Sequence, residues 1–156
     1  MASALLFYPE ALHTVGVTEV DIASFFSPHY LYAIVGASAD REKYGYRVLK
    51  DLAGAGYRVV GVNPHLRELE GVSVYPNLAS LPHRPDVAVV VVPPHIGLAI
   101  LNQADRLGIR KVWFQPGAES QEIQQRIAEF NLTGVADGRC IMVTRRTLKT
   151  DVKTKY

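Results

Sequence analysis

Cysteine is almost absent from this chain: Cys140 is the only one in 156 residues. A disulfide framework within the chain is therefore excluded, and a reducing, cytoplasmic setting is the expectation. Long apolar runs are missing too. No stretch approaches the roughly 18 apolar residues of a membrane span. The early run Ala4 to Tyr8 has no basic flank and is too short for a secretory signal core. An excess of one charge is also lacking. With 17 basic and 15 acidic residues the net charge is +2, too balanced for a dedicated nucleic-acid binder. The histidines, His13, His29, His65, His83 and His95, show no metal-ligand spacing.

What is present describes a globular protein: 48% apolar and 21% charged residues, outside the composition of disorder. The length fits one domain. Thr18 reads as the cap of a short helix, with Asp21 three residues on; Val20, Ala23 and Phe26 share a face, and Pro28 ends it. Strand and helix signals then alternate. Apolar runs at 31–35, 57–62, 71–75, 87–92 and 111–114 read as strands, with 134–136 as a last short one. Helical spacing joins Val48, Leu49 and Leu52, then Ile96 to Leu107, then residues 119–131. The run VAVVVV at 87–92 is the pattern of a strand buried on both faces. This order predicts a three-layer, Rossmann-like, doubly wound parallel sheet of about five or six strands. The expected divisions are an N-terminal extension at 1–29, the Rossmann-like domain at 30–146 and a basic tail at 147–156. The end of the chain, TRRTLKTDVKTKY, reads as a solvated or partner-bound arm.

In such a sheet the ligand sits beyond the carboxyl ends of the strands, where strand order reverses. Four loops fall there: Gly36-Ala37-Ser38, Asn63-Pro64, Val92-Pro93-Pro94-His95 and Gln115-Pro116-Gly117. The first is a glycine turn leading through a charged loop and Tyr44-Gly45 into a helix, a phosphate-binding arrangement. It departs from the dinucleotide fingerprint. Ser38 stands at the second glycine position, the next glycine is Gly45, and the second strand ends in Asn63 rather than an acid. Arg41 and Lys43 instead offer two cations for a ligand with additional phosphate charge.

These residues carry a family resemblance. VGAS, KYGY, VNP, LEGVSVYPNLASLP, VPP, VWFQPG and GRC occur in that order between about residues 27 and 146. The set resembles the small stand-alone CoA-binding domain proteins, relatives of the N-terminal CoA-binding domain of the succinyl-CoA synthetase α subunit. The resemblance implies a Rossmann-like fold and CoA or an acyl-CoA as ligand. It implies that Gly36, Ala37 and Ser38 meet the pyrophosphate and that Arg41 and Lys43 neutralise phosphates. Asn63 and Pro64 would border the adenosine half, and Val92, Pro93 and Pro94 the adenine or pantetheine. Tyr44, Gly45 and Gln115 complete the candidate set. At 156 residues the sequence is not expected to include the synthetase's phosphohistidine or its nucleotide-binding domain.

No nucleophile, general-base pair or metal set is visible, which points away from intrinsic catalysis. Cys140, in GRCIMV, reads as a half-buried thiol, with redox chemistry or a CoA disulfide as the alternative; His95 follows the VPP loop. Three functions stand: a non-catalytic CoA-binding module, an NAD(P)-binding redox enzyme or sensor, and an interaction subunit of a separate acyl-CoA ligase. A homodimer or a partner protein is compatible with each; nucleic acid and membrane are not expected partners.

Overall fold

The computed structural model describes residues 22–149. Among these residues the expected alternation forms around seven strands and four helices of eight residues or more. Strand β1 (Leu31–Val35) leads to helix α1 (Tyr44–Gly54) and β2 (Arg58–Val62). A two-residue β3 (Glu68–Leu69) and β4 (Val72–Tyr75) follow. Then come β5 (Val87–Val90), α2 (Pro94–Leu107), β6 (Lys111–Phe114), α3 (Gln121–Glu129), β7 (Thr133–Val135) and α4 (Ile141–Leu148).

The sheet runs β3-β4-β2-β1-β5-β6-β7, with every neighbouring pair parallel except β3 against β4. This is the expected doubly wound Rossmann-like fold, with slightly more strands than expected. β3 escaped notice because a two-residue antiparallel edge leaves no periodicity to read. Order reverses between β1 and β5, so their carboxyl ends form the switch point. All five β1 residues and all four β5 residues are buried. Buried central strands of a parallel sheet need apolar residues on both faces, which YAIV and VAVV supply.

Helices cover both faces. Val48, Leu49 and Leu52 of α1 and Ile141 of α4 pack on one core with Ile22, Phe25 and Trp113. Leu101 and Ala104 of α2 and Ile123 and Ile127 of α3 pack on the other. The crossover from β4 to β5 has only a 3-10 turn, Leu78–Ser80, capped by Asn77. A groove of about 400 Å³ remains there, lined by Arg58, Val60, Ser73, Tyr75 and His83, away from the switch point. Among the described residues no helix is long and apolar enough to cross a membrane.

Three sequence expectations need correction. Only residues 22 and 23 are helical here; Ile22 and the turn residue Phe25 are buried, with Phe26 beside them, while Ala23 is exposed; Thr18, Val20 and Asp21 lie outside the described residues. Tyr32 sets this register: its hydroxyl donates to Phe25 O (2.7 Å) and accepts from Ser27 N (3.1 Å), and burial raises its pKa well above the usual tyrosine value. β5 stops at Val90, because Val91 and Val92 turn toward Pro93. Finally, residues 144–148 belong to α4 and are no loose arm. Their polarity hid a tertiary anchor. Arg145 is 9% exposed and grips Asp51 of α1 through Nε (2.8 Å) and Nη2 (3.1 Å), with Arg146 adding a third bond (2.9 Å).

That pair is nearly dehydrated, so losing one partner is costly. Asp51→Ala should lower unfolding free energy by about 3 kcal/mol, measured by urea denaturation. A loss under about 0.5 kcal/mol would class the contact with ordinary surface pairs.

Candidate functional site

The crevice is built by two close approaches. Gly36 follows β1 with φ near +100°, a conformation that L side chains rarely adopt. A Cβ there would lie 2.7 Å from Val91 and 2.9 Å from Val92, so the exits of β1 and β5 meet over a bare backbone. Gly45, in the first turn of α1, is tighter still. A Cβ on it would stand 2.0 Å from the Gly36 carbonyl oxygen. Only glycine lets α1 start against the turn, the role of the last glycine in a dinucleotide fingerprint.

The backbone amides sort themselves by partner. Gly36 N (3.0 Å) and Ala37 N (3.3 Å) both donate to Val62 O, and Ala37 is fully buried. These two residues shape the turn through small size. Ser38 Oγ accepts from Asp40 N (3.0 Å), and Asp40 Oδ1 accepts from Glu42 N (3.0 Å), which winds the loop toward α1. Lys43 is the N-cap of α1 and makes no side-chain cap bond; its side chain is exposed. The N-cap of α2 is Pro93, also without a side-chain cap, with Pro94 at the first helical position. By contrast, α3 is capped by Ser120 Oγ, 3.1 Å from Ile123 N. Two helix N-termini at the switch point therefore keep the positive end of their dipoles available to an anion. Tyr44 (41%) and Ile96 (42%), in the first turns of these helices, are exposed apolar side chains. His95 is exposed beside them.

Asn63 is a brace. Its Nδ2 donates to Ala37 O (2.7 Å), its Oδ1 accepts from His65 N (2.7 Å), and its own N donates to Tyr75 O (2.9 Å). Pro64 beside it is exposed. Gln115 is another brace and fully buried. Its Oε1 accepts from Ile141 N (2.7 Å) and its Nε2 approaches Cys140 Sγ at 3.3 Å, which seats the start of α4 against the end of β6. Cys140 is a partly exposed free thiol. Trp113 Nε1 ties down the same segment through Arg139 O (3.1 Å). The expected residues thus divide. Gly36, Ser38, Lys43, Tyr44, Gly45, Val92, Pro93 and Pro94 gather around the β1–β5 exit. Ala37, Asn63 and Gln115 hold that exit in shape.

Arg41 leaves the crevice mouth. Its guanidinium lies 5.6 Å from the Tyr46 ring centre and 3.9 Å from Glu70 Oε2. Glu70 also accepts from the Tyr46 hydroxyl and pairs with Lys50 Nζ (2.9 Å). The Tyr46 hydrogen bond, then Lys50, holds the Glu70 carboxyl below its usual pKa. The same partnership raises Tyr46 and Lys50. Sequence reasoning missed this hub. The spacing of Tyr46 and Lys50, one helical turn apart, was the available signal, but Glu70 reaches them only through the β3–β4 turn. Among the described residues no group of three His, Cys, Asp or Glu side chains is placed to hold a metal.

A doubly wound sheet with a bare glycine turn and two helix starts at its switch point defines the class: a Rossmann-like domain. Within that class the chain belongs to the CoA binding domain family, whose model matches residues 31–146. It is 35% identical over 89 residues to the acetate–CoA ligase (ADP-forming) II alpha subunit of Pyrococcus furiosus, covering 56% of this chain and 19% of that one. The corresponding I alpha subunit is 28% identical over 122 residues, covering 70% and 26%. The chain therefore spans about a fifth to a quarter of these ligase subunits. Two solved structures match along nearly their whole length. A conserved hypothetical protein from Pyrococcus furiosus is 45% identical, with TM-score 0.69, covering 73% of this chain and 97% of that one. A hypothetical protein from Pyrococcus horikoshii is 32% identical, with TM-score 0.79, covering 87% and 95%.

Two outcomes follow from this geometry. Gly45→Ala should destabilise the protein by about 3 kcal/mol, the upper range for overpacking, because backbone must move; denaturant unfolding that matches wild type would refute the close approach. Glu70, with its lowered pKa, adds stability above the ordinary carboxylate range that is lost as pH falls through its native value. The stability gap between wild type and Glu70→Gln should therefore shrink between neutral pH and about pH 3, read by thermal unfolding across that range.

Proposed function

We propose that the β1–β5 crevice binds CoA or an acyl-CoA, and that the chain does so without catalysis of its own. The observation that carries this reading is the switch-point geometry in a member of the CoA binding domain family. Two helix starts without side-chain caps face one bare glycine turn. The pyrophosphate would lie over Gly36 and the Ser38 loop, at the start of α1. Lys43 would neutralise phosphate charge. The exposed Tyr44 and Ile96 supply apolar surface for adenine or pantetheine, which a purely phosphate-binding site would not need. The binding unit is taken as residues 30–146, and the setting as cytoplasmic, in keeping with the single thiol.

A second reading has one observation in its favour. The ligase relatives are alpha subunits and four to five times longer than the matched segment. This chain could then serve as an interaction subunit beside a separate acyl-CoA ligase. An NAD site is disfavoured by Asn63, whose amide is engaged by Ala37 O and His65 N where a ribose-binding acid would stand; NADP is less easily excluded, because Arg41 or Lys43 could meet its 2′-phosphate.

Thermal unfolding with CoA, acetyl-CoA, dephospho-CoA, NAD and NADP separates these readings. Ligand at 100 times its Kd stabilises by about 2.7 kcal/mol, a shift of about 5–10 °C for this length. CoA should produce it, and dephospho-CoA should produce less. Lys43→Ala should narrow that difference. A shift with NADP and none with CoA sinks the proposal, and no shift with any of the five favours the interaction subunit.

A further inference from the structure

Glu70 sits in the tight turn between β3 and β4 with φ near +50°, unusual for a residue with a side chain. Its carboxylate is fixed on the flank of α1 by Tyr46 and Lys50. The third neighbour is different in kind. Arg41 belongs to the loop that enters α1, its side chain is 78% exposed, and its contact with Glu70 is long at 3.9 Å. The guanidinium lies over the Tyr46 ring, on the side of α1 where Glu70 is held. Lys43, two residues on, stays exposed at the helix start. The two cations of the loop are thus held differently: Lys43 at the crevice, Arg41 drawn off it by a preformed anion.

We propose that Glu70 is an internal competitor for Arg41, a built-in counter-charge that a ligand phosphate must displace before Arg41 can join the site. The inference rests on the CoA reading and names a specificity-setting residue within it. The chemistry is an exchange of one anion for another around a guanidinium. A phosphate accepts two parallel N–H bonds from arginine, whereas Glu70 has its oxygens occupied by Tyr46 and Lys50 and meets Arg41 only at long range. Glu70 is weak enough to be displaced and ordered enough to matter. The contact discriminates between ligands: only one with a phosphate beyond the pyrophosphate rewards Arg41 for leaving. CoA carries such a group at the ribose 3′ position and dephospho-CoA does not.

The test is a double-mutant cycle read by calorimetric titration with CoA and with dephospho-CoA. Wild type, Glu70→Gln, Arg41→Ala and the double variant are compared. Glu70→Gln should tighten CoA by up to about fivefold, the range of an exposed ion pair, and leave dephospho-CoA unchanged. In the Arg41→Ala background the same substitution should do nothing to either ligand. Glutamine keeps an acceptor for Tyr46, and a melting curve for each variant verifies the fold. The Arg41 Nε–H resonance gives a reading on unaltered protein: it should move when CoA is added and stay when dephospho-CoA is added. An unchanged CoA to dephospho-CoA ratio in Glu70→Gln, an effect that persists without Arg41, or a static resonance each overturns the inference while leaving CoA binding intact. Failure of wild type to bind either ligand removes the CoA reading, and this inference with it.

Discussion

The contact between Gly36 and Gly45 sets the rest of the crevice. A carbonyl oxygen lies where the side chain of any other residue at 45 would begin. Because of that contact, α1 starts close under the end of β1 instead of standing off by a side-chain width. The distance matters electrostatically. The partial charge of a helix end acts only over its first turn, so an extra few ångströms between turn and helix would leave the turn without its field. The same contact places the first turn of α1, with Lys43 and Tyr44, on the rim of the crevice. The Val91–Val92 exit of β5 closes the opposite side against Gly36.

A close approach of backbones gives no stabilising burial of its own, so it has to be held from elsewhere. Two polar anchors hold α1. Asp51, near its end, is gripped by Arg145 and Arg146 of α4. Tyr46, in its first turn, and Lys50, next to Asp51, are pinned to Glu70 in the β3–β4 turn. The start of α4 is in turn seated by Gln115 at the end of β6. A connected path thus runs from β6 through α4 to α1 and the glycine turn. The anchors differ in strength. The Asp51 pair is almost excluded from water, where charge pairs are strong and breaking them is costly; the Glu70 cluster is wet, where pairs are weak and exchangeable. The helix is fixed firmly where it meets α4 and adjustably where it meets the β3–β4 turn.

Local signals in the sequence reached as far as local physics does. The passages from β1 to α1, β5 to α2 and β6 to α3 could be read because their causes are neighbours in the chain: apolar runs, Gly36, Pro93-Pro94. The placement of the crevice followed from the topology rule. What escaped depends on residues far apart. Asp51 and Arg145 are separated by 94 positions, and helix α4 looked like a polar tail because its stabilising contact is a salt bridge rather than an apolar stripe. Ala37, Asn63 and Gln115 were rightly placed at strand ends, yet their small size and hydrogen bonds turn inward, toward the backbone they support. Chain position locates a residue at a site; it does not say which way its donors face.

Asn63 shows how this alters the ligand argument. At the end of the second strand an acid would read a ribose diol, and the amide looked like a simple absence of that acid. The structure gives the amide a task. It donates to the Ala37 carbonyl and accepts from His65 N at the same time. Aspartate could keep the second bond but not the first, and its charge would face a carbonyl oxygen at 2.7 Å. An acid at this position would therefore loosen the glycine turn at the switch point. In this chain the residue at the end of β2 is committed to bracing the turn, and the proposed CoA site would draw its selectivity from another group, the extra phosphate.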